Sequence, residues 1–243
     1  MATIPRSIVA FFEDLQANNN KEWFEAHSER YTAEVQAPFL EFTAAFWPEL
    51  REIDPKLPVD PRDGLMRMRS QGRAGYLPMV RANFMPESTA PRKSNRSPDL
   101  PGYYLGIGPE QIHVGGGLFS VDRKSLPLIR AHIKTQAQEF QALTQEETFV
   151  AEFGGIQGEK VRRAGPEFDI IAGLIPEIQN KEFYYVRGYA TENLLDMEGV
   201  EQIFAAHFRQ VAPLNRFFRT ALIGDDESDD PEFGSGFFRL PNT

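Results

Sequence analysis

The sequence predicts a single α+β domain, with a mainly antiparallel sheet and helices from both its N- and C-terminal segments. Three observations predict it. Apolar residues recur at helical spacing near both ends of the chain. Short alternating runs and glycine–proline turns fill the middle. A length of 243 residues with 41% hydrophobic content suits one ordinary core.

Ile8, Phe11, Phe12 and Leu15 share one face of a first helix. Asn18-Asn19-Asn20 ends it. Asn19 with Glu22 then reads as a capping-box variant that starts a second helix. Phe24, His27, Tyr31 and Val35 share the next helical face, and Phe39, Phe42 and Phe46 extend it past a kink at Pro38. Pro48, Pro55, Pro58 and Pro61 predict an irregular connection. Residues 65–69 and 79–84 alternate as short strands. Residues 85–101, with Pro86, Pro91, Pro98 and Pro101, read as a long loop. Residues 103–107 and 111–114 flank Gly108-Pro109 as a hairpin, and Gly115-Gly116-Gly117 follows between strand and helix, read either as tight packing or a bulge in the sheet or as a bend open to an anion. A helix is expected over 125–143, with Leu126, Ile129, Ile133 and Phe140 inward and Pro127 in its first turn. Gly154, Gly155 and Gly158 break the chain before an aromatic strand at 183–189. Val200, Ile203, Phe204, Phe208, Val211, Leu214, Phe218 and Leu222 form the cleanest helical stripe, with a kink expected at Pro213. The domain is placed at 1–223. Residues 224–243 read as an acidic linker and a short aromatic tail.

Composition excludes several functions. The chain has no cysteine, so disulfides, thiol nucleophiles and cysteine-bound zinc are ruled out. No apolar run approaches the roughly 18 residues of a membrane span. Residues 1–10 lack the apolar core of a signal peptide, so a cytoplasmic protein with no membrane association is expected. A net charge of −9 argues against a general nucleic-acid binder. Residues 62–96 nevertheless carry eight Arg or Lys against Asp63 and Glu87. That region could meet an anion.

Several blocks resemble one family. They are Phe11-Phe12-Glu13-Asp14-Leu15 with Asn18-Asn19-Asn20-Lys21-Glu22-Trp23-Phe24, then residues 101–105, 114–119, 153–158 and 161–164. The chain is similar, up to about Ile223, to a widespread bacterial and fungal family known only as a conserved domain of unknown function. The family signature resembles Arg-x-x-Arg-Asp-x-Arg-Phe, followed by a lysine, a tyrosine and Lys-Thr-Asn-Phe. Here Arg81-Ala82-Asn83-Phe84 matches the last piece. Counting back puts Arg69 on the arginine before the aspartate. Ser70, Gly72, Leu77 and Val80 then replace the aspartate, the next arginine, the lysine and the tyrosine. The resemblance implies a divergent member that has lost most of the polar cluster.

Candidate ligand residues follow from chemistry. Arg67, Arg69, Arg73 and Arg81 carry planar, bidentate donors suited to phosphate or carboxylate. Gly115, Gly116 and Gly117 could offer backbone amides to the same anion. They form neither a P-loop nor a dinucleotide fingerprint. His113 abuts them and is the best placed of the four histidines for ligand contact or acid–base work. Arg163 follows a glycine turn that could border the same cleft. His27 is expected in a structural role, and His132 and His207 on helix surfaces. Trp23 and Phe24 read as core packing. No cofactor or metal set is visible. The expected partner is an anionic small molecule bound in a basic, glycine-lined cleft. The alternatives are a hydrolase acting on a phosphorylated substrate and an interaction module built on the acidic, aromatic tail. Loss of the signature's titratable residues favours binding over catalysis.

Overall fold

The computed structural model describes residues 2–68, 75–86 and 100–224. Most of the expected loop, the acidic tail, and the candidates Arg69 and Arg73 lie outside those residues. The fold is the α+β arrangement expected: a four-stranded antiparallel sheet in the order β1-β2-β3-β4, packed against N- and C-terminal helices.

Helix α1 (Arg6–Ala17) buries Ile8, Phe11, Phe12 and Leu15, and Asn18 closes it by donating its amide to the Leu15 carbonyl. The capping asparagine of α2 (Lys21–Ala26) is Asn20, not Asn19: its side chain accepts from the Trp23 amide at 2.8 Å. Asn19 is engaged elsewhere. Its Nδ2 donates to the Tyr76 carbonyl at 2.8 Å, and the Tyr76 amide donates to its Oδ1 at 2.7 Å. One side chain thus mimics a strand partner and ties the start of α2 to the segment before the sheet. Helix α3 (Ser28–Tyr31) passes through a π-helical turn at Thr32–Gln36 into α4 (Ala37–Ile53), so the helix continues past Pro38 as expected. Pro38 directly follows the π-helical turn, whose Ala37 amide donates to the Thr32 carbonyl; that wider turn accommodates the missing N–H and the ring inside a continuous helix. Pro48 also lies inside α4 rather than in a connection. Phe42, Phe46, Trp47 and Leu50 are buried around it, and that packing outweighs one lost backbone bond.

Strand β1 (Val80–Phe84) pairs with β2 (Gly102–Ile107), and β2 forms the expected hairpin with β3 (Gln111–Leu118). Strand β3 runs through the triple glycine and pairs with β4 (Phe183–Ala190) along its whole length. Of the two readings of 115–117, the bend is therefore not there and tight packing within the sheet is. These glycines exist because backbone and helix come too close for a Cβ. A Cβ on Gly115 would lie 2.0 Å from the Tyr185 carbonyl oxygen, and one on Gly116 would lie 2.5 Å from that of Gly102.

The expected helix at 125–143 is two, α5 (Ser125–Thr135) and α6 (Ala137–Thr144), joined at Gln136. Helix α7 (Glu147–Phe153) was not foreseen. Glu146 caps its start, and Gly154 ends it in the left-handed region at φ 70°. After the short α8 (Asp169–Ala172) and α9 (Thr191–Leu194), α10 (Val200–Ile223) runs through Pro213. It packs on β3, α4 and α5. One face of the sheet is the core: Val80, Ala82, Phe84, Tyr103, Leu105, Ile107, Ile112, Val114, Phe183 and Tyr185 are all buried. Each such large side chain contributes about 1.5–3 kcal/mol through apolar burial.

Polar groups fix α10 in place. Arg219 forms a buried ion pair with Asp54, at the end of α4, and Tyr103 donates its hydroxyl to Asp54 Oδ2 at 3.2 Å. One turn earlier, Asn215 Nδ2 donates to the Gly102 carbonyl at 3.1 Å, and its Oδ1 accepts from the Tyr185 hydroxyl. His207 is buried, contrary to the expected surface place. It meets the Tyr189 hydroxyl through Nε2 and faces Glu152 through Nδ1 at 3.9 Å. His132 is half-buried against the Phe217 ring. His27 stacks on Trp23 at 4.0 Å and meets the Trp23 carbonyl through Nδ1, the structural role expected. Among the described residues no helix is long and apolar enough to cross a membrane.

Removing one partner of the buried pair strands the other charge. Asp54→Ala should therefore cost about 3–5 kcal/mol in urea unfolding, while Asp54→Leu combined with Arg219→Met should recover most of that loss. A second expectation concerns pH. Burial holds the His207 imidazole below its ordinary value of 6.5, against the pull of Glu152. The unfolded chain thus takes up its proton first as pH falls. Stability should be full above about pH 6.5 and decline below it. In urea midpoints measured from pH 5 to 8, His207→Gln should flatten that decline.

Candidate functional site

The second face of the sheet is the floor of a cavity of about 900 Å³. Its layout follows from strand register, because alternate residues share a face. Arg81, Gly106, His113 and Gly188 form one row across all four strands. Asn83, Tyr104, Gly115 and Val186 form the next. Neighbouring strands are about 4.8 Å apart, so Arg81 and His113 are separated by roughly 10 Å at the backbone. A Cβ added at Gly106 would meet the Met79 sulfur at 2.8 Å and the Tyr104 hydroxyl at 3.0 Å. Both tips therefore lie above the Gly106 backbone, between Arg81 and His113. Further along, Phe119 stacks on Tyr184 with ring centroids 5.0 Å apart and meets Tyr104 at the same distance.

Arg81 is only 9% exposed. Its Nη2 donates to the Arg67 carbonyl at 3.4 Å, and among the described residues no carboxylate pairs with it. Tyr31 is its buried neighbour. Burial pushes the Tyr31 phenol up to about 12, and the Arg81 charge opposes that rise. The Tyr31 hydroxyl has no hydrogen-bond partner among the described residues, and neither has Asn83 Oδ1. The buried Arg81 guanidinium lines the cavity at the β1 side; the Tyr31 phenol is within its electrostatic reach but does not line the cavity.

The first helices hold this side in shape. Tyr31 packs edge-on to Phe24 at 5.3 Å, and Phe24 packs on Tyr76 at 4.5 Å. Asn19 pins the Tyr76 backbone, and Leu77 and Met79 then form the adjoining wall. Gly75 has φ +80°, and a Cβ there would run into Asn19. Trp23 and Phe24 pack partly buried against the core, as expected. The asparagine–aromatic stretch thus acts on the cavity through its wall.

The opposite rim is acidic. Glu159 and Glu182 line it; Glu159 pairs with Lys181 at 2.8 Å, and Glu182 accepts from the Glu159 amide at 3.0 Å. Arg130 holds this irregular segment by donating to the carbonyls of Ile178 at 2.8 Å and Asn180 at 3.2 Å. The cleft is therefore cationic at one end and acidic at the other, not uniformly basic.

Of the sequence candidates, Arg81 and His113 meet in this cavity. Burial lowers the His113 pKa, and its Nε2 meets Gln111 Oε1 at 2.9 Å. Arg67 is exposed and does not line the cavity; Met66, one residue earlier, does. The single-residue offset follows from the Leu65–Ala82 bridge, which sets the face of each neighbour. Arg163 is spent on Asp169 at the surface, with Nε to Oδ1 at 2.9 Å. Gly115 and Gly117 share the cavity face of β3, but all three glycines lie in ladders with β2 and β4. Their amides belong to the sheet, which corrects the expected amide anion site. Sequence reading missed the lining residues Tyr104, Tyr184 and Gly188. Only period-two alternation along the strands could have signalled them. Among the described residues no group of three or more His, Asp or Glu side chains could hold a metal ion.

Fold and site together define an α+β domain with one sheet face buried and the other opened into a cavity. The chain belongs to the conserved hypothetical protein family DUF2461, whose pattern matches residues 7–217. No curated protein matches it.

The glycines separate packing from open space. Gly116→Ala should destabilise by about 1–3 kcal/mol, because its Cβ meets the Gly102 carbonyl, the Tyr185 ring and Asn215. Gly188→Ala meets nothing nearer than His113 Cδ2 at 3.5 Å. It should leave stability unchanged or raise it by about 0.5–1 kcal/mol, since glycine weakens a strand. Urea unfolding of both variants checks the contrast.

Proposed function

We propose that this protein binds a small anionic ligand, carrying phosphate or carboxylate, in the cavity on the open face of its sheet. The observation that carries the proposal is Arg81: a nine-tenths-buried guanidinium lining the cavity, without a carboxylate partner among the described residues. A buried charge is costly unless it is paired. An anion would complete it with charge-assisted hydrogen bonds. The acidic rim of Glu159 and Glu182 favours a small ligand over a polyanion, which would have to cross it. The cavity is also of the size usual for small-molecule sites.

Inorganic phosphate is the simplest probe. It should raise the thermal midpoint of the wild-type protein in a concentration-dependent way. Arg81→Met should weaken binding by roughly tenfold to a hundredfold, the worth of hydrogen bonds to a charged group. Tyr31→Phe, which removes no group from the cavity lining, should leave it nearly unchanged. An Arg81→Met protein that still gains the full shift would refute the proposal.

A further inference from the structure

We infer that the acidic and aromatic segment of residues 225–243 folds back over the open face of the sheet in the same chain and covers the cavity, with Phe237, Phe238 and Leu240 against its apolar lining. The contact needs no anion at Arg81, and it goes beyond the anion-binding reading. Residues 225–243 lie outside the described residues and beyond residue 217, where the match to the family pattern ends.

The first support is where α10 delivers the chain. Asn215 donates to the Gly102 carbonyl, and Phe218 packs on Phe183 at 5.4 Å. The helix therefore runs out at the end of the sheet where β2 and β4 begin. Phe119 and Tyr184, which line the cavity, stand at that same end: Phe119 directly follows β3, and Tyr184 directly follows Phe183. From Gly224, residues 225–232 span up to about 27 Å when extended. The four strands together are only about 14 Å wide. The segment can thus round the end of the sheet and cross its open face.

The second support is apolar. Met66 and Phe119 are each 36% exposed and line the cavity, and Leu77, Met79 and Val186 join them in the lining. An apolar surface of this kind gains from a cover. Residues 231–243 carry Phe233, Phe237, Phe238 and Leu240, a density of large apolar side chains that gains from burial. The third support is the order of charges. Gly64 lies against the Phe84 ring and the Met66 amide donates to the Arg81 carbonyl, which sets the exposed Arg62 and Arg67 beside β1. Glu159 and Glu182 line the opposite, β4 side. The segment carries the opposite signs in the same order. Asp225, Asp226, Glu227, Asp229 and Asp230 come first after α10, and Arg239 comes later, among the aromatics. A path that enters over β1 and ends over β4 matches both. The reverse path would set five acids against Glu159 and Glu182.

The chain has no cysteine, so Ser235→Cys gives the full-length protein one attachment point for a nitroxide spin label. Amide spectra then show which residues the label broadens. Phe119, Gly117, Tyr184 and Met79 should be broadened severalfold more than Ala131 and Thr135, which are exposed on the helical side, next to His132 and its contact with Phe217 near the end of α10. The difference should be unchanged on dilution. Adding Phe237→Ser and Phe238→Ser to the labelled chain should remove it, with the other amide positions confirming that the domain is still folded. Broadening that is strongest at Ala131 and Thr135, or even over the whole surface, would overturn the inference. So would a difference that survives both phenylalanine substitutions, or one lost on dilution, which would mark a second copy as the source of the segment. Phosphate titration tests the anion site separately, so either reading can fail alone.

Discussion

The buried ion pair between Arg219 and Asp54 fixes where the rest of the molecule can lie. It joins α10 to the end of α4, and the Tyr103 hydroxyl adds β2 to the same carboxylate. Compared with a well-packed apolar pair, such a bridge adds little net stability. What it supplies is registry. A shift of α10 by one turn would leave Asp54 buried without its cation and separate Asn215 from the Gly102 carbonyl. Those two contacts, one turn apart, hold the long helix at a single height over the sheet.

The open cavity is the other side of that constraint. With α10 pressed on one face, the sheet can bring its strands close only where glycine permits. Gly115, Gly116 and Gly117 provide that closeness in the central strand. Gly116 faces α10, while His113 shares the cavity face with Gly115 and Gly117. Sheet closure and cavity floor thus share one run of backbone. The N-terminal helices serve the same end: Asn19 pins the segment at Tyr76, and Phe24 and Tyr31 back it.

How much of this could be read from the sequence depended on whether a signal was local. The apolar stripe of α10 and the turn at Gly108-Pro109 are local, and both were legible. The triple glycine left a bend and tight packing both open; the partners that decide for packing are Gly102, Tyr185 and Asn215. The place of His207 was missed because α10 is buried over an unusually wide arc that takes in polar residues such as Asn215 and Arg219. Asp54 and Arg219 stand 165 residues apart, beyond any periodicity. In the site, residue chemistry singled out Arg81 and His113, and both line the cavity. Arg67 failed because a strand's face depends on register, which one bridge at Leu65 sets. Arg163 failed because Asp169, six residues on, claims it.

The central claim is that the open sheet face is the binding surface, with Arg81 at its charged end. Amide chemical-shift mapping during titration with phosphate tests it most directly. The account predicts that the perturbed amides cluster on one face: Arg81, Asn83, Gly106, His113 and their strand neighbours. Perturbations scattered over the helical surface, with those four silent at saturation, would contradict it.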